Sequence, residues 1–396
     1  MFDFINKERF RYTDASTRLA VIRFIFSLGT AGVGVVWSLY MNSLGFSESA
    51  IGYIAGILTL VSLFLSVKDT TLLEKFGEKK IFVTSLIIYI FSYVSIAVFR
   101  STALFILISF LVTIAAVLRT ESFAIIYRDS ISNNKDVSRK EGLLYSLANL
   151  GWFIAPAFAG FLLAKYGYPV VFYLSALMFA VSLVIFSLNR GRVLKKNFKR
   201  SDGNLIGNIR KYFSRKELLF PYTVSAGLCL IDSFIIIYMP LFLFKRGLPV
   251  EYIGILISVM ALIHAIFDFK IGDLVNKYGF KKFLVLGFLA SAATLIIAGF
   301  ISDVYVLFYL IMFGSFFTIF IEPLQDSYFF SKISRKEDEE KFFPIFSTAA
   351  QIGAVIAKIV TATILLFLAE KYTYWAIAFI MAIVGILILF KKERKN

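Results

Sequence analysis

Glu322 and Asp326 stand four residues apart inside an otherwise apolar run. On a helix that spacing puts both on one face. Carboxylates so close repel, so one of the two is expected to hold a proton at neutral pH. A proton held reversibly there could be coupled to other movements. His264 and Asp268 repeat the spacing in another apolar run, and imidazole titrates in the physiological range. Arg23, Arg119, Glu121, Asp232 and Lys358 also interrupt apolar runs. An ionised group near the centre of a bilayer costs about 2.5–3.5 kcal/mol on insertion scales, so each is a functional candidate.

At a rise of about 1.5 Å per residue, Asp232 and Lys358 reach similar central depths. They are expected to face each other, either as a pair that opens and reprotonates or as a static pair that fixes packing. Glu322 lies deeper than Asp326 and is the first choice of proton carrier, with Asp232 second. Asp268 and Asp326 sit near the ends of their runs, where hydration alone accounts for a charge. A lone histidine can equally be a hydrogen-bonding core residue. Arg119 and Glu121 are two apart and point in different directions. Arg119 could meet the anionic part of a substrate or neutralise an acid, whereas Arg23 could snorkel to the interface. Trp37, Trp152 and Tyr238 are candidates to stack on an apolar or cationic substrate.

The elements that must position these groups are set by hydropathy. The chain has 396 residues, 59% of them hydrophobic, and a mean hydropathy of +0.80. One water-soluble core could not hide that much apolar surface. Stretches of spanning length fall at 18–42, 49–67, 81–99, 102–127, 141–164, 168–189, 218–244, 249–269, 283–302, 304–330, 342–369 and 372–390, twelve in all. The expected class is an all-α membrane protein of twelve transmembrane helices. The first run is too long for a cleaved signal and follows acidic residues, so it reads as a retained anchor. Cys229 is the only cysteine, which excludes an internal disulfide, and it reads as a small core residue. A single histidine excludes multi-histidine metal or haem sites, and no metal or cofactor is expected. No G-x-x-x-x-G-K-S/T phosphate loop points to ATP.

The net charge of +16 is spread over short loops rather than one basic domain, which argues against nucleic acid as a partner. Of the 42 Lys and Arg, 34 fall in the terminal segments and in alternate loops at 68–80, 128–140, 190–216, 270–282 and 332–341, and only five in the other loops. That asymmetry places both termini in the cytoplasm. The expected organisation is a cytoplasmic segment at 1–17, a six-helix bundle at 18–190, a basic linker at 191–217, a second six-helix bundle at 218–390 and a basic tail at 391–396. Within the linker, Leu205, Ile206, Ile209, Tyr212, Phe213 and Leu218 recur near helical spacing among Arg210, Lys211, Arg215 and Lys216. They form either an amphipathic helix against anionic lipid or a solvated tether.

One offset of 202 residues relates the two bundles. It carries Gly45 to Gly247, Gly52 to Gly254, Lys75 to Lys277, Gly77 to Gly279, Lys79 and Lys80 to Lys281 and Lys282, Ile131 to Ile333, and Gly151 to Gly353. Two related halves with the same orientation follow. The recurring phrase TTLLEKFGEKK and GDLVNKYGFKK is a tight glycine turn between spans, held at the membrane face by lysines.

Two six-helix halves, a basic middle loop and this turn together resemble the major facilitator superfamily, over essentially the whole chain. In that family the loop after the second helix follows G-x-x-x-D-R/K-x-G-R/K-R/K. The later copy supplies Gly272, Asn276, Lys277, Gly279 and Lys281, and the earlier one Thr70, Glu74, Lys75, Gly77 and Lys79. The resemblance assigns these to gating. The acid is kept as Glu74 and lost at Asn276. A fifth-helix phrase of the family's antiporters, G-x8-G-x3-G-P-x2-G-G, is matched by Gly142, Gly151, Ala155, Pro156, Ala159 and Gly160, with two glycines replaced by alanine. Small residues there allow close helix packing, and Pro156 favours a bend. An arginine early in the fourth helix, usual in those antiporters, is absent, and Arg119 lies deeper. The third, sixth, ninth and twelfth runs carry no charge, as suits helices facing lipid, and the family places those four outermost.

The function these readings imply is a proton-coupled secondary transporter, not an enzyme. It would be a monomer in the cell membrane whose partners are protons, the lipid bilayer and a small-molecule substrate, working by alternating access and exporting an amphipathic or lipophilic compound by antiport. A proton symporter importing a sugar, peptide or organic anion is the alternative. So is a non-transporting receptor or lipid scramblase on the same scaffold.

Overall fold

The computed structural model describes residues 15–68, 73, 75–131, 137–188, 205–333 and 336–390. Twelve helices are long and apolar enough to cross a membrane. They are α1 (Ala15–Ser43), α2 (Glu48–Lys68), α3 (Glu78–Val98), α4 (Thr102–Asp129), α5 (Val137–Tyr166), α6 (Tyr168–Leu188), α7 (Lys216–Lys245), α8 (Val250–Tyr278), α9 (Phe280–Ala298), α10 (Val304–Phe330), α11 (Lys336–Phe367) and α12 (Lys371–Phe390). A short surface helix, Leu205–Ser214, precedes α7. Several helices outrun the apolar stretches that announce them. α8 continues past 269 to Tyr278 because its backbone bonds persist where hydropathy ends, through helix-forming Lys and Leu.

α10 differs from the expected single helix. An α-helix at Val304–Gly314, capped by Asp303 onto the amides of Tyr305 and Val306, gives way to a 3-10 turn at Ser315–Phe320 and resumes at Glu322–Phe330. Pro323 is the cause. It has no N–H to donate, and its ring crowds the carbonyl four residues back.

The repeat is written in backbone angles. Gly45 and Gly247 have φ of 91° and 88°, and Gly77 and Gly279 have 79° and 85°. At Gly77 and Gly279 ψ is 143° and 152°, a region that side chains resist. A Cβ on any of the four would meet nothing within 4 Å, so the constraint is conformational, not steric. The two turns match in detail, with Lys75 over the Phe76 ring and Lys277 over Tyr278. Glu74 and Thr70 lie outside the described residues, as do the side chains of Asn276 and Asp268 and the surroundings of Gly272.

Contact between the halves falls chiefly to α1, α2 and α5 on one side and α7, α8 and α11 on the other. Helices α3, α6, α9 and α12, whose apolar runs carry no charge, pack within their own halves. Two seams dominate, α5 on α8 and α2 on α11. In the first, a Cβ on Gly254 would collide with the carbonyl of Pro156, and one on Gly160 would press on Val250 O and Glu251 Cα at 3.0 and 3.2 Å. The Ala157 amide crosses the seam to Ser258 Oγ at 2.9 Å. In the second, Gly52 lies against the Tyr238 hydroxyl, which donates to Lys358 O at 2.7 Å, and Ser49 Oγ donates to Ala362 O at 2.6 Å. The α5–α8 contacts gather toward the face opposite the chain termini. The terminal part of α5, including Gly142, Tyr145 and Asn149, is exposed. The fifth-helix phrase thus divides. Gly151 packs on Ser27 and Phe24 of α1, Ala155, Ala159 and Pro156 are buried, and Gly160 packs on α8, whereas Gly142 touches nothing.

Gly279→Ala is expected to lower thermal stability in detergent by about 1–3 kcal/mol, the cost of forcing a side chain into that backbone region. Gly142→Ala, equally free of neighbours but helical, should be neutral or slightly stabilising. Equal melting shifts for the two variants would contradict the conformational reading.

Candidate functional site

The break in α10 exposes a hydroxyl and a carboxylate side by side, and His264 of α8 meets both. Its Nδ1 stands 2.7 Å from Glu322 Oε2 and its Nε2 3.0 Å from Thr318 Oγ1. The hydrogen bonds count the protons. Thr318 gives its only hydroxyl hydrogen to Ser315 O at 2.7 Å, so toward His264 it accepts, and Nε2 carries a hydrogen. The short contact from Nδ1 to Glu322 then needs one more proton between them. Imidazolium with carboxylate, or neutral imidazole with carboxylic acid, satisfies it equally. The dyad is neutral with that proton and carries one negative charge without it. Glu322 also opens the second half of α10, where the positive end of the helix dipole favours negative charge.

Other acids surround this dyad. Asp232 of α7 lies within electrostatic reach of Glu322 and His264, and Asp326 within reach of Glu322. Asp232 keeps accessible surface although protein encloses it, as a side chain lining an internal gap does. Among the described residues it has no hydrogen-bond or ion-pair partner at contact distance. Cys229, one helical turn away, senses Asp232, Glu322 and Asp326 and is partly accessible rather than a sealed core residue. From the other half, Tyr145 of α5 faces Asp326 and also Arg23 of α1. An acid of one half thus lies within electrostatic reach of a tyrosine of the other, and that tyrosine within reach of Arg23.

Several expectations need correction. Asp232 and Lys358 do not pair. Lys358 Nζ donates to Thr59 Oγ1 of α2 at 2.7 Å, so its side chain points to the seam while Asp232 points to the dyad. His264 takes Glu322 of a neighbouring helix as partner, a contact that spacing along one helix could not show. Arg119 is not placed to meet a substrate. It is buried, donates to Thr30 Oγ1 at 3.0 Å, and its guanidinium lies 4.6, 4.9 and 5.6 Å from the rings of Phe26, Tyr89 and Phe179. Those rings belong to α1, α3 and α6, so the charge sits inside the first half under aromatic faces. Tyr238 is fully buried in the seam and cannot stack on a ligand. Trp37 is half-buried against Phe105, and Trp152 is half-buried beside Gly34, where an added Cβ would just touch its ring. Glu121 is half-buried on α4. The sequence reading missed Thr318 and Thr59, which carry no sequence signal of their own role, though Pro323 marks the break in the span that holds Thr318.

Twelve spans in two like-built halves, packed along two seams around a gap lined with ionisable groups, define a polytopic membrane transporter. The sequence model described as Major Facilitator Superfamily matches residues 19–269 and again 247–396, and the chain belongs to that family. It is 24% identical to the quinolone resistance protein NorA of Staphylococcus aureus (strain COL), over 94% of this chain and 95% of that protein. It is 21% identical to sugar efflux transporter A of Escherichia coli (strain K12), over 71% of this chain and 69% of that one. Among solved structures, nucleoside transporter NupG shares the fold with a TM-score of 0.77 at 14% identity, covering 96% of this chain and 99% of that chain.

Cys229, as the only cysteine, can report the field of the acids. Relative to a free thiol in solution, a cationic thiosulfonate reagent should modify it faster than an anionic one. At an effective dielectric of about 20, a unit charge ~10 Å away is worth roughly 1.7 kcal/mol. Asp232→Asn should therefore slow the cationic reagent by around tenfold and speed the anionic one by a similar factor. An unchanged ratio would show that Asp232 carries no charge near this thiol.

Proposed function

We propose that this protein is a proton-coupled carrier working by alternating access, and that it exports an amphipathic or lipophilic small molecule in exchange for protons. The observation that carries the reading is the His264–Glu322 dyad, which holds one exchangeable proton at a helix break. Asp232 beside it raises the cost of a second negative charge, so a cationic or proton-bearing occupant of the gap and a proton on the dyad compete for the same field. The α5–α8 contacts lie toward the face opposite the termini, whereas the α2–α11 seam runs on from Ser49 to Ser62 and Ser66. With the termini in the cytoplasm, as the lysine and arginine asymmetry favours, parting of α5 from α8 toward the termini favours inward opening on that side. The two halves, 18–190 and 218–390, are then the bodies that rock, joined by the basic linker at 191–217, with a monomer as the working unit. The efflux named for one relative, sugar efflux transporter A, agrees with this direction.

Symport of a polar or anionic compound is a second reading, favoured by Lys358, whose ammonium has a threonine hydroxyl as its partner. An anionic cargo group could take the place of Thr59.

In proteoliposomes, a panel of amphipathic dyes and drugs should contain members that release protons from the lumen on addition, read by an internal pH dye. Glu322→Gln should abolish that flux, whereas binding seen by thermal shift survives. His264→Gln should slow it strongly, since the amide can accept no proton. Proton flux equal to wild type in Glu322→Gln would overturn the assignment of the dyad. Uptake driven by an inward proton gradient would replace antiport with symport.

A further inference from the structure

The surface helix Leu205–Ser214 is not a solvated tether. Tyr212 is fully buried in a cluster with Leu218, Phe329, Phe342, Ile345 and Phe346, and its hydroxyl donates to Leu218 O at 3.0 Å. Arg215, just past the helix, donates to Asp338 Oδ2 at 3.0 Å and covers the Phe342 ring at 4.9 Å. These contacts clamp the helix onto α7, α10 and α11. They use only one side of it. Ile209 and Phe213, four residues apart and therefore on one face, remain 37% and 42% exposed, and Leu219 at the start of α7 is 37% exposed. Arg210, Lys211 and Lys216 are exposed beside them, with no carboxylate partner among the described residues; Glu217 and Glu339 are exposed acids in the same region.

We propose that this free face is a docking site for anionic lipid headgroups, with Ile209 and Phe213 in the headgroup–acyl boundary and Arg210 and Lys211 on the phosphates. Three features select a lipid surface over another occupant. The helix ends at Ser214 and a membrane span begins at Lys216, so it lies at headgroup depth. Its free face is apolar with basic flanks, the pattern of an interfacial helix. Its charge is complementary to anionic lipid and fades with salt over a Debye length. The grip has a direction. Phe329, in the same cluster as Tyr212, lies on the half of α10 that begins with Glu322. Lipid holding the helix therefore steadies the far end of the element that carries the proton dyad. The proposal does not depend on which compound is carried or in which direction.

The full chain, as Ile209→Cys with Cys229→Ser, is nitroxide-labelled at 209 and reconstituted in phosphatidylcholine, or in phosphatidylcholine mixed with phosphatidylglycerol. Access of oxygen and of a water-soluble nickel chelate reports immersion. In the anionic mixture the label should be oxygen-accessible and shielded from nickel. Adding Arg210→Gln and Lys211→Gln should lower the apparent immersion equilibrium about thirtyfold, which is two residues at roughly 1 kcal/mol each. A label equally open to nickel in both vesicles would overturn the proposal. So would immersion that is the same without anionic lipid and indifferent to the two glutamines. A preserved elution volume and label line shape establish that the quadruple variant is folded.

Discussion

Close backbone approach at two seams is the constraint on which the rest of this molecule depends. Lipid tails offer helices no hydrophobic reward for meeting, so association rests on van der Waals contact and hydrogen bonds, and small residues allow both. Gly254 lets α8 lie directly on the Pro156 carbonyl of α5. At the repeat-related place, 202 residues earlier, Gly52 of α2 faces α11. There the gap is wider by one hydroxyl, and the Tyr238 oxygen fills it, bonded to the carbonyl of Lys358. Lys358 is itself the repeat partner of Pro156. One seam is thus sealed by bare backbone and the other through a side chain that reaches in from α7. The same symmetry governs packing within each half. Gly151 rests on Phe24 and Ser27 of α1, and Gly353 on the carbonyl of Ala226 in α7, the residue that corresponds to Phe24.

The halves share a frame but not a polarity. Thr30 of α1 and Asp232 of α7 correspond. In the first half Thr30 accepts from Arg119, whose charge is spread over three aromatic rings. In the second half Asp232 stands near Glu322 and His264 without such shelter. Likewise His264 corresponds to Ser62, and Ser62 with Ser66 meets the Gln351 amide across the α2–α11 seam at 3.5 and 3.2 Å. Neutral hydrogen bonds serve packing in one half, and titratable groups take the same positions in the other. Burying ionisable groups costs stability that neutral ones would not, so the division marks the second half as the one that handles charge.

The architecture was legible because its signals are additive over many residues. Span length, lysine and arginine asymmetry and a single repeat offset each sum dozens of positions, and twelve helices in two pseudo-symmetric bundles followed. The site was legible only in depth. Glu322, His264 and Asp232 were singled out by their cost in a bilayer, which depends on position along the helix alone. Their partners depend on helix rotation, which packing sets. Spacing within one helix suggested Glu322 with Asp326 and His264 with Asp268; packing gave His264 to Glu322 and Lys358 to Thr59. Arg119 was misread for the same reason. Its rings come from α1, α3 and α6, and no local pattern joins them.

The break in α10 ties these observations together. Pro323 prevents the helix from continuing, and the turn before it leaves Thr318 free to orient His264. A straight helix would carry Glu322 as a lateral side chain in mid-span, away from the positive end of a helix dipole. The break instead makes Glu322 the first residue of a short helix whose other end is pinned by Phe329 stacked on Phe346 at 4.3 Å. A change in charge at the dyad therefore acts on an element only nine residues long, anchored at one end by aromatic packing and hinged at the other. Under the proposed proton coupling, protonation there would act on a short lever and not a whole span, the size of element a single proton could bias between two packings.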